Sequence, residues 1–101
     1  MLVEMATATE AGRLLAYRAA GLVGSGKRAV AESSMAKAYC TEMAVRVASL
    51  GVQVHGAAGL ASGGAPERIL RDARMLTIPD GTTQIQTLII GRELTGHSAL
   101  V

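Results

Sequence analysis

Asp80 is the residue whose placement most invites a chemical explanation. It stands inside RDARMLTIPDGTTQIQ (71–86), on a Pro-Asp-Gly turn followed at once by the polar ledge Thr82-Thr83-Gln84. Two roles compete for a carboxylate there. As a helix cap, Asp80 accepts an N–H from Thr82 or Thr83 at the start of the next helix, a position where Asp is favoured. As a general base, it takes a proton from a bound substrate held against the turn.

A second stretch, QVHGAAG (53–59), lies where a helix should end. Its glycines permit a positive φ and a sharp exit from the helix. Glycine-rich turns can also expose backbone N–H groups to a phosphate. His55 has no second His, Cys or carboxylate at ligand spacing, and His97 is far off in the tail, so the pattern argues against a metal site. Glu67, Arg68, Arg71, Asp72 and Arg74 make a dense charge cluster, which reads as a solvated helix face with (i, i+4) pairs such as Glu67 with Arg71. The one cysteine, Cys40, lies among Ala38, Tyr39 and Met43 and reads as a packed thiol rather than a nucleophile.

The elements that must position these residues are helices. The chain has 101 residues, enough for one domain at most, and half of them are hydrophobic, yet it has two Tyr and no Phe or Trp. The apolar content is therefore mainly Ala, Val, Leu, Ile and Met, the composition of an all-α protein with closely approaching helices. Ten basic and eight acidic residues are mixed along the chain, giving a net charge of +2. With no basic run and no interleaved aromatics, a nucleic-acid surface is not expected. No apolar run approaches the roughly 18 residues of a membrane span. The first residues lack the basic and apolar regions of a signal peptide, so a cytoplasmic protein is expected.

Ala11, Leu15, Ala19 and Leu22 recur at helical steps between Leu2 and Val23, with only Gly12 to interrupt the helix. Gly21, Gly24 and Gly26 end it. A second, longest helix runs from about Ala29 to Val54, where Ala36, Cys40, Met43, Val47, Leu50 and Val54 form a seam that wants another helix against it. After a glycine-rich loop, Pro66 opens a short helix reaching about Met75. A last helix from about Thr82 to Leu94 offers Ile85, Leu88 and Ile89 to the core, and the tail 97–101 frays. These elements predict an antiparallel helical bundle with an apolar flank left short of cover, and hence self-association or a partner chain.

Taken together, EAGRLLAYRAA, SSMAKAYCTEMAVRVASLGVQVHGAAG and ERILRDARMLTIPDGTTQIQTLIIGRE resemble, in order and spacing, the C-terminal helical-bundle domain of the acyl-CoA dehydrogenase family. The resemblance covers Glu10 to about Gly96 and makes the chain, 1–101, a single partial domain of that kind, with the first helix of the bundle apparently missing. The family's N-terminal helical and middle β domains have no counterpart here, which implies a fragment or one subunit of a split enzyme, inactive alone.

The resemblance implies FAD-dependent α,β-dehydrogenation of an acyl-CoA thioester, the chemistry of fatty acid metabolism, in a homo-oligomeric flavoprotein. By it Asp80 is the base, its own N–H bonds the thioester oxygen, and Gly81 lets the acyl chain pass closely. Gln53 and Gly56 touch the FAD diphosphate of a neighbouring subunit. Thr82 and Gln84 line adenine-side or diphosphate contacts, and Arg71 with Asp72 matches a structural pair. The sequence departs from the family pattern in carrying Asp where Glu is usual, Pro79 for an aromatic, and Ala57 for the second glycine of a pair. Nitroalkane oxidases of the same superfamily are similar in using Asp, so the resemblance also leaves an oxidase of that kind as an alternative. The competing reading is a non-catalytic helical module that self-associates or docks on a separate flavoprotein, with Asp80 only a cap.

Overall fold

Residues 1–99 are described by the structure, a computed structural model. The first helix, α1 (Leu2–Gly24), starts without a side-chain cap and ends where glycines let the chain turn. Gly26, at φ 75°, donates its N–H to Val23 O, and Lys27 N–H reaches back to Leu22 O. The left-handed residue lets these bonds satisfy helix carbonyls that would otherwise lack partners.

The second helix, α2 (Val30–His55), is the spine of the molecule. At roughly 1.5 Å per residue it is about 39 Å long. A 3-10 turn, Gly56–Leu60, follows directly. Helix α3 (Ala65–Met75) carries Pro66 in its first turn, where its missing N–H costs nothing. Helix α4 (Thr83–Thr95) closes on Gly96, which is left-handed. No strand occurs among the described residues, and none of the helices there is long and apolar enough to cross a membrane. The fold is thus all-α, and each helix begins and ends within a residue or two of the expected bounds. Of the tail expected to fray, Leu100 and Val101 lie outside the described residues.

Helices α1, α3 and α4 all pack on α2, and among the described residues none of the three packs on another. The α1–α2 pair is antiparallel: Glu4 reaches Arg46 at 4.0 Å at one end and Arg18 reaches Glu32 at 3.7 Å at the other. Between them Gly12, buried, faces the Cys40 thiol and the Met43 methyl. The expected α1 stripe is therefore rotated by about a residue. Ala8, Gly12 and Ala19 make its centre, with Ala11, Leu15 and Leu22 at its edges. Gly12 is the point of close approach rather than a flaw in the helix. Cys40 donates to Gly12 O at 3.3 Å, and burial pushes its thiol pKa up, in keeping with a packed thiol.

Helix α4 also runs antiparallel to α2. Gly81 lies against Lys37, and Glu93 at the far end accepts two bonds from Arg28, at 2.8 and 2.9 Å. The residue of α4 that is buried is Gln86, while Ile85 stays exposed and Leu88 and Ile89 are half-buried. The expected Ile85-Leu88-Ile89 face is corrected to one centred on Gln86, Ile89, Ile90 and Glu93, a spacing that helical periodicity equally allows.

The core so formed is thin. Among the described residues its buried side chains of apolar type are all alanines, and no large side chain is fully enclosed. Leu14, Tyr17, Leu60, Ile69 and Leu94 are exposed. The radius of gyration is 15.8 Å against about 13 Å for a compact chain of this length.

Two acidic side chains hold segment ends. Glu67 bonds Arg71 at 2.7 and 3.1 Å and also accepts Gly63 N–H at 3.1 Å. The ion pair of Arg71 is thus made with Glu67, as the charge pattern suggested, rather than with Asp72. The Arg71 hydrogen bond, then the Gly63 N–H, holds the Glu67 carboxyl below the usual range, and Arg28 does the same for Glu93. A carboxyl whose pKa is depressed on folding contributes stability above its unfolded value and loses it as pH falls through the folded value. The urea midpoint is therefore expected to hold from neutral pH down to about 5 and to drop below about 4.3. In Glu67→Gln and Glu93→Gln variants, the same titration should show a shallower drop. An equally steep drop in both would dissociate these pairs from acid unfolding.

Candidate functional site

The connection from α3 to α4 is a fixed turn. Thr77 is buried, donates Oγ1–H to Arg74 O at 3.0 Å and accepts a bond from the Arg74 guanidinium. Its carbonyl accepts Thr83 N–H at 3.3 Å, closing the loop that Pro79, Asp80 and Gly81 span. Within it Asp80 has φ 56° and Gly81 φ 90°, two consecutive residues in the left-handed region. Among side-chained residues Asp is one of the few that tolerate this conformation.

Asp80 does not cap α4. The capping residue is Thr82, whose Oγ1 accepts Ile85 N–H at 3.3 Å. A cap needs extended backbone angles, which Thr82 has at φ −60° and ψ 164° and which the left-handed Asp80 lacks. The Asp80 carboxylate is exposed and makes no hydrogen bond or ion pair among the described residues. Nor do the N–H groups of Asp80, Gly81 and Thr82 find an acceptor there.

Two neighbours pin the turn from behind. From α4, the Gln86 amide donates to Asp80 O at 3.0 Å and to Gly81 O at 3.4 Å. From α2, the Lys37 ammonium donates to Gly81 O at 2.7 Å. Glu42, also on α2, accepts Thr83 Oγ1–H at 2.5 Å. A Cβ at Gly81 would stand 2.8 Å from Gln86 Nε2, the group that pins the turn, and would suffer the positive φ as well, so the position favours glycine. Sequence reasoning missed Lys37, Glu42 and Gln86. Only Gln86 left a signal, in its helical spacing with Ile89 and Glu93.

The other expected site residues are at the far end of α2. Gln53 and Gly56 lie about 24 Å and more beyond Lys37 along the helix axis, at roughly 1.5 Å per residue. The two clusters do not meet within this chain. Gly56 has φ 59° and open space on its Cβ side, and Gln53 is exposed with no partner for its side-chain amide among the described residues. They border a shallow groove of about 430 Å³ with Ser49, Val52, Ala57, Leu60 and Leu70. His55 is tied to its own helix, its Nδ1 donating to Gly51 O at 2.8 Å.

Near the turn, Gln84 is exposed and its side chain has no partner among the described residues, while Thr82 is half-buried and its hydroxyl proton remains free to donate. Gln53, Thr82 and Gln84 thus present polar side-chain groups on open sides at the two clusters, while the Gly56 N–H is taken up by Gln53 O and Gly56 offers open space instead. This donor set fits the polar and phosphate atoms of a dinucleotide such as FAD. It offers nothing to enclose a flavin ring.

Comparison with known proteins agrees with this architecture. Residues 1–95 match the family described as acyl-CoA dehydrogenase, C-terminal domain. Cyclohex-1-ene-1-carbonyl-CoA dehydrogenase of Geobacter metallireducens is 44% identical over 95 residues, covering 93% of this chain and 25% of that protein. The caffeyl-CoA reductase-Etf complex subunit CarC of Acetobacterium woodii is 42% identical over 90 residues, 89% of this chain and 24% of that protein. The crystal structure of acyl-CoA dehydrogenase from Geobacillus kaustophilus superposes with a TM-score of 0.89 at 39% identity, over 93% of this chain and 25% of that one. The chain spans about a quarter of the length of these relatives. With its helices and their order accounted for, the chain belongs to the acyl-CoA dehydrogenase family and corresponds to that family's C-terminal helical domain.

Proposed function

We propose that the chain serves as the C-terminal domain of an FAD-dependent acyl-CoA dehydrogenase, with Asp80 as the base that removes the α-proton of an acyl-CoA thioester. The observation that carries this reading is the state of Asp80: a carboxylate and a backbone N–H, both unpartnered, on one rigidly held turn. An α-proton is weakly acidic, so its removal needs a nearby base and a donor to the oxygen on which negative charge develops. Asp80 supplies the carboxylate, and its N–H is the donor to the thioester oxygen. Gly81 lies beside the path proposed for the acyl chain. Bound FAD would accept the hydride that leaves the β carbon.

Thr82 and Gln84 contact the cofactor near this turn, and Gln53 and Gly56 contact a cofactor belonging to a neighbouring subunit. The distance between the two clusters supports that division. Alone, the chain lacks surfaces to hold a flavin ring and is inactive. The reading places it with the rest of a flavoprotein, as a single partial domain, in the cytoplasm and in a fatty acid or related acyl-CoA oxidation.

The test is a chimera in which residues 1–99 replace the matching segment of the Geobacillus kaustophilus enzyme. Flavin bleaching by an acyl-CoA, lost in Asp80→Asn at unchanged FAD content, supports the reading. Retained bleaching in that variant leaves the helical-module reading in its place.

The exposed apolar faces support self-association or a partner subunit. The isolated chain is expected to sediment as a dimer or larger species at micromolar concentration, because an alanine core cannot compensate for so much uncovered Leu, Ile and Met. A stable folded monomer in the ultracentrifuge would remove that expectation.

A further inference from the structure

Lys37 is a half-buried cation with no carboxylate partner among the described residues. Here the ammonium is spent on one backbone carbonyl, Gly81 O, at 2.7 Å, on a turn contributed by a different helix. Glu42, five residues on in the same helix, is engaged with Thr83 instead.

We propose that Lys37 is a positioning residue for the Asp80 turn, fixing the Gly81-Thr82 peptide and with it the outward direction of the Thr82 N–H. The proposal rests on the reading of Asp80 as the base. The geometry follows from peptide planarity. No peptide bond is cis, so in each plane the carbonyl and the following N–H point in opposite directions. Gln86 holds the Asp80 carbonyl inward, which turns the Gly81 N–H outward. Lys37 holds the Gly81 carbonyl inward, which turns the Thr82 N–H outward.

Glycine gives this turn little resistance of its own. Gly81 can adopt either sign of φ, so the Gly81-Thr82 peptide is free to flip unless its carbonyl is held. A flip would replace the outward Thr82 N–H with an outward carbonyl oxygen on the same turn as the Asp80 N–H, where it would repel the negative charge that develops on the thioester oxygen. A charge-assisted bond is about twice as strong as a neutral one, and Lys37 supplies the only such bond to this peptide among the described residues. The cation also polarises the peptide it holds, strengthening the N–H on the other side.

The experiment uses the isotope-labelled chain as wild type, Lys37→Met and Lys37→Arg. Backbone order parameters at Gly81 and Thr82 are expected to fall from about 0.85 to below about 0.6 in Lys37→Met, with those inside α2 and α4 unchanged, and to recover in Lys37→Arg. In the chimera, Lys37→Met should lower kcat at least about tenfold with KM within about twofold, the split expected of a lost transition-state interaction. If Lys37→Met fails to fold, Lys37→Gln, too short to reach Gly81 O but polar enough to stay solvated, takes its place under the same criteria. Unchanged order and unchanged kcat would overturn the role of Lys37 while leaving the Asp80 reading intact. An active Asp80→Asn chimera would overturn the Asp80 reading itself, whatever Lys37 does.

Discussion

Asp80→Asn in the chimera is expected to lower kcat by about 10² to 10⁴-fold, the usual contribution of a positioned general base. The substitution is well suited to isolate chemistry from folding. Asn tolerates the left-handed backbone nearly as well as Asp, so the φ of 56° should survive and the thermal midpoint should not move. The carboxylate makes no hydrogen bond among the described residues, so no packing contact is lost with it. KM and FAD content should stay near the parent values, because the N–H donors and the polar groups of Thr82 and Gln84 remain. Asp80→Glu is the informative companion. It keeps a base but extends it by a methylene, and any change in kcat reports how closely the turn, rather than the side chain, sets the position of the carboxylate. Wild-type turnover in Asp80→Asn would reduce Asp80 to a residue chosen for its backbone.

Gly59→Ala is expected to be the most damaging single methyl addition to stability. Gly59 is buried, and a Cβ there would stand 2.5 Å from Val52 O and 3.0 Å from Val52 Cα. These are backbone atoms of α2, which cannot swing aside as a side-chain tip does. The 3-10 turn would have to shift off the end of the helix, at a cost of about 1–3 kcal/mol. For a chain of this size each kcal/mol lowers the thermal midpoint by about 4–8 °C, which a calorimetric or dichroism melt resolves easily. The control is Gly21→Ala, inside α1 with open space around its Cβ, where alanine should stabilise by up to about 1 kcal/mol. A Gly59→Ala melt matching the wild type would mean that the turn is looser than its contacts imply.

The helices were legible because glycine and proline punctuate them. Gly24 to Gly26, Gly56 to Gly64 and Pro79-Asp80-Gly81 mark the breaks between helices, and the ends fall at or near them. The phase of each helix was less legible. Periodicity marked an apolar side of α1 but counted Gly12 as a break, since a glycine shows no hydrophobicity even where its lack of a side chain lets two helices touch. In α4 the polarity of Gln86 hid its burial, which exists to satisfy two carbonyls of the preceding turn. Residue type leaves Asp80 between cap and base because it cannot reveal φ, and it is φ that moves the cap to Thr82. Lys37 could not be found at all from spacing. Its partner is a backbone atom far along the chain, and any lysine beside a seam looks the same. The resemblance to a family did what periodicity could not, by attaching chemistry to Asp80.

Three helices leaning on a single spine, and not on one another, make an assembly whose parts can loosen one at a time. Opening α3 leaves the contacts of α1 and α4 intact, so protection from solvent exchange should fall into separate tiers rather than vanish in one cooperative event. Mutations in different satellites would for the same reason add without interaction, unless a second polypeptide bridges them. Any surface that covers two satellites at once would thereby knit independent units into one, and the tightness of such a complex would be felt as the rigidity of the Asp80 turn.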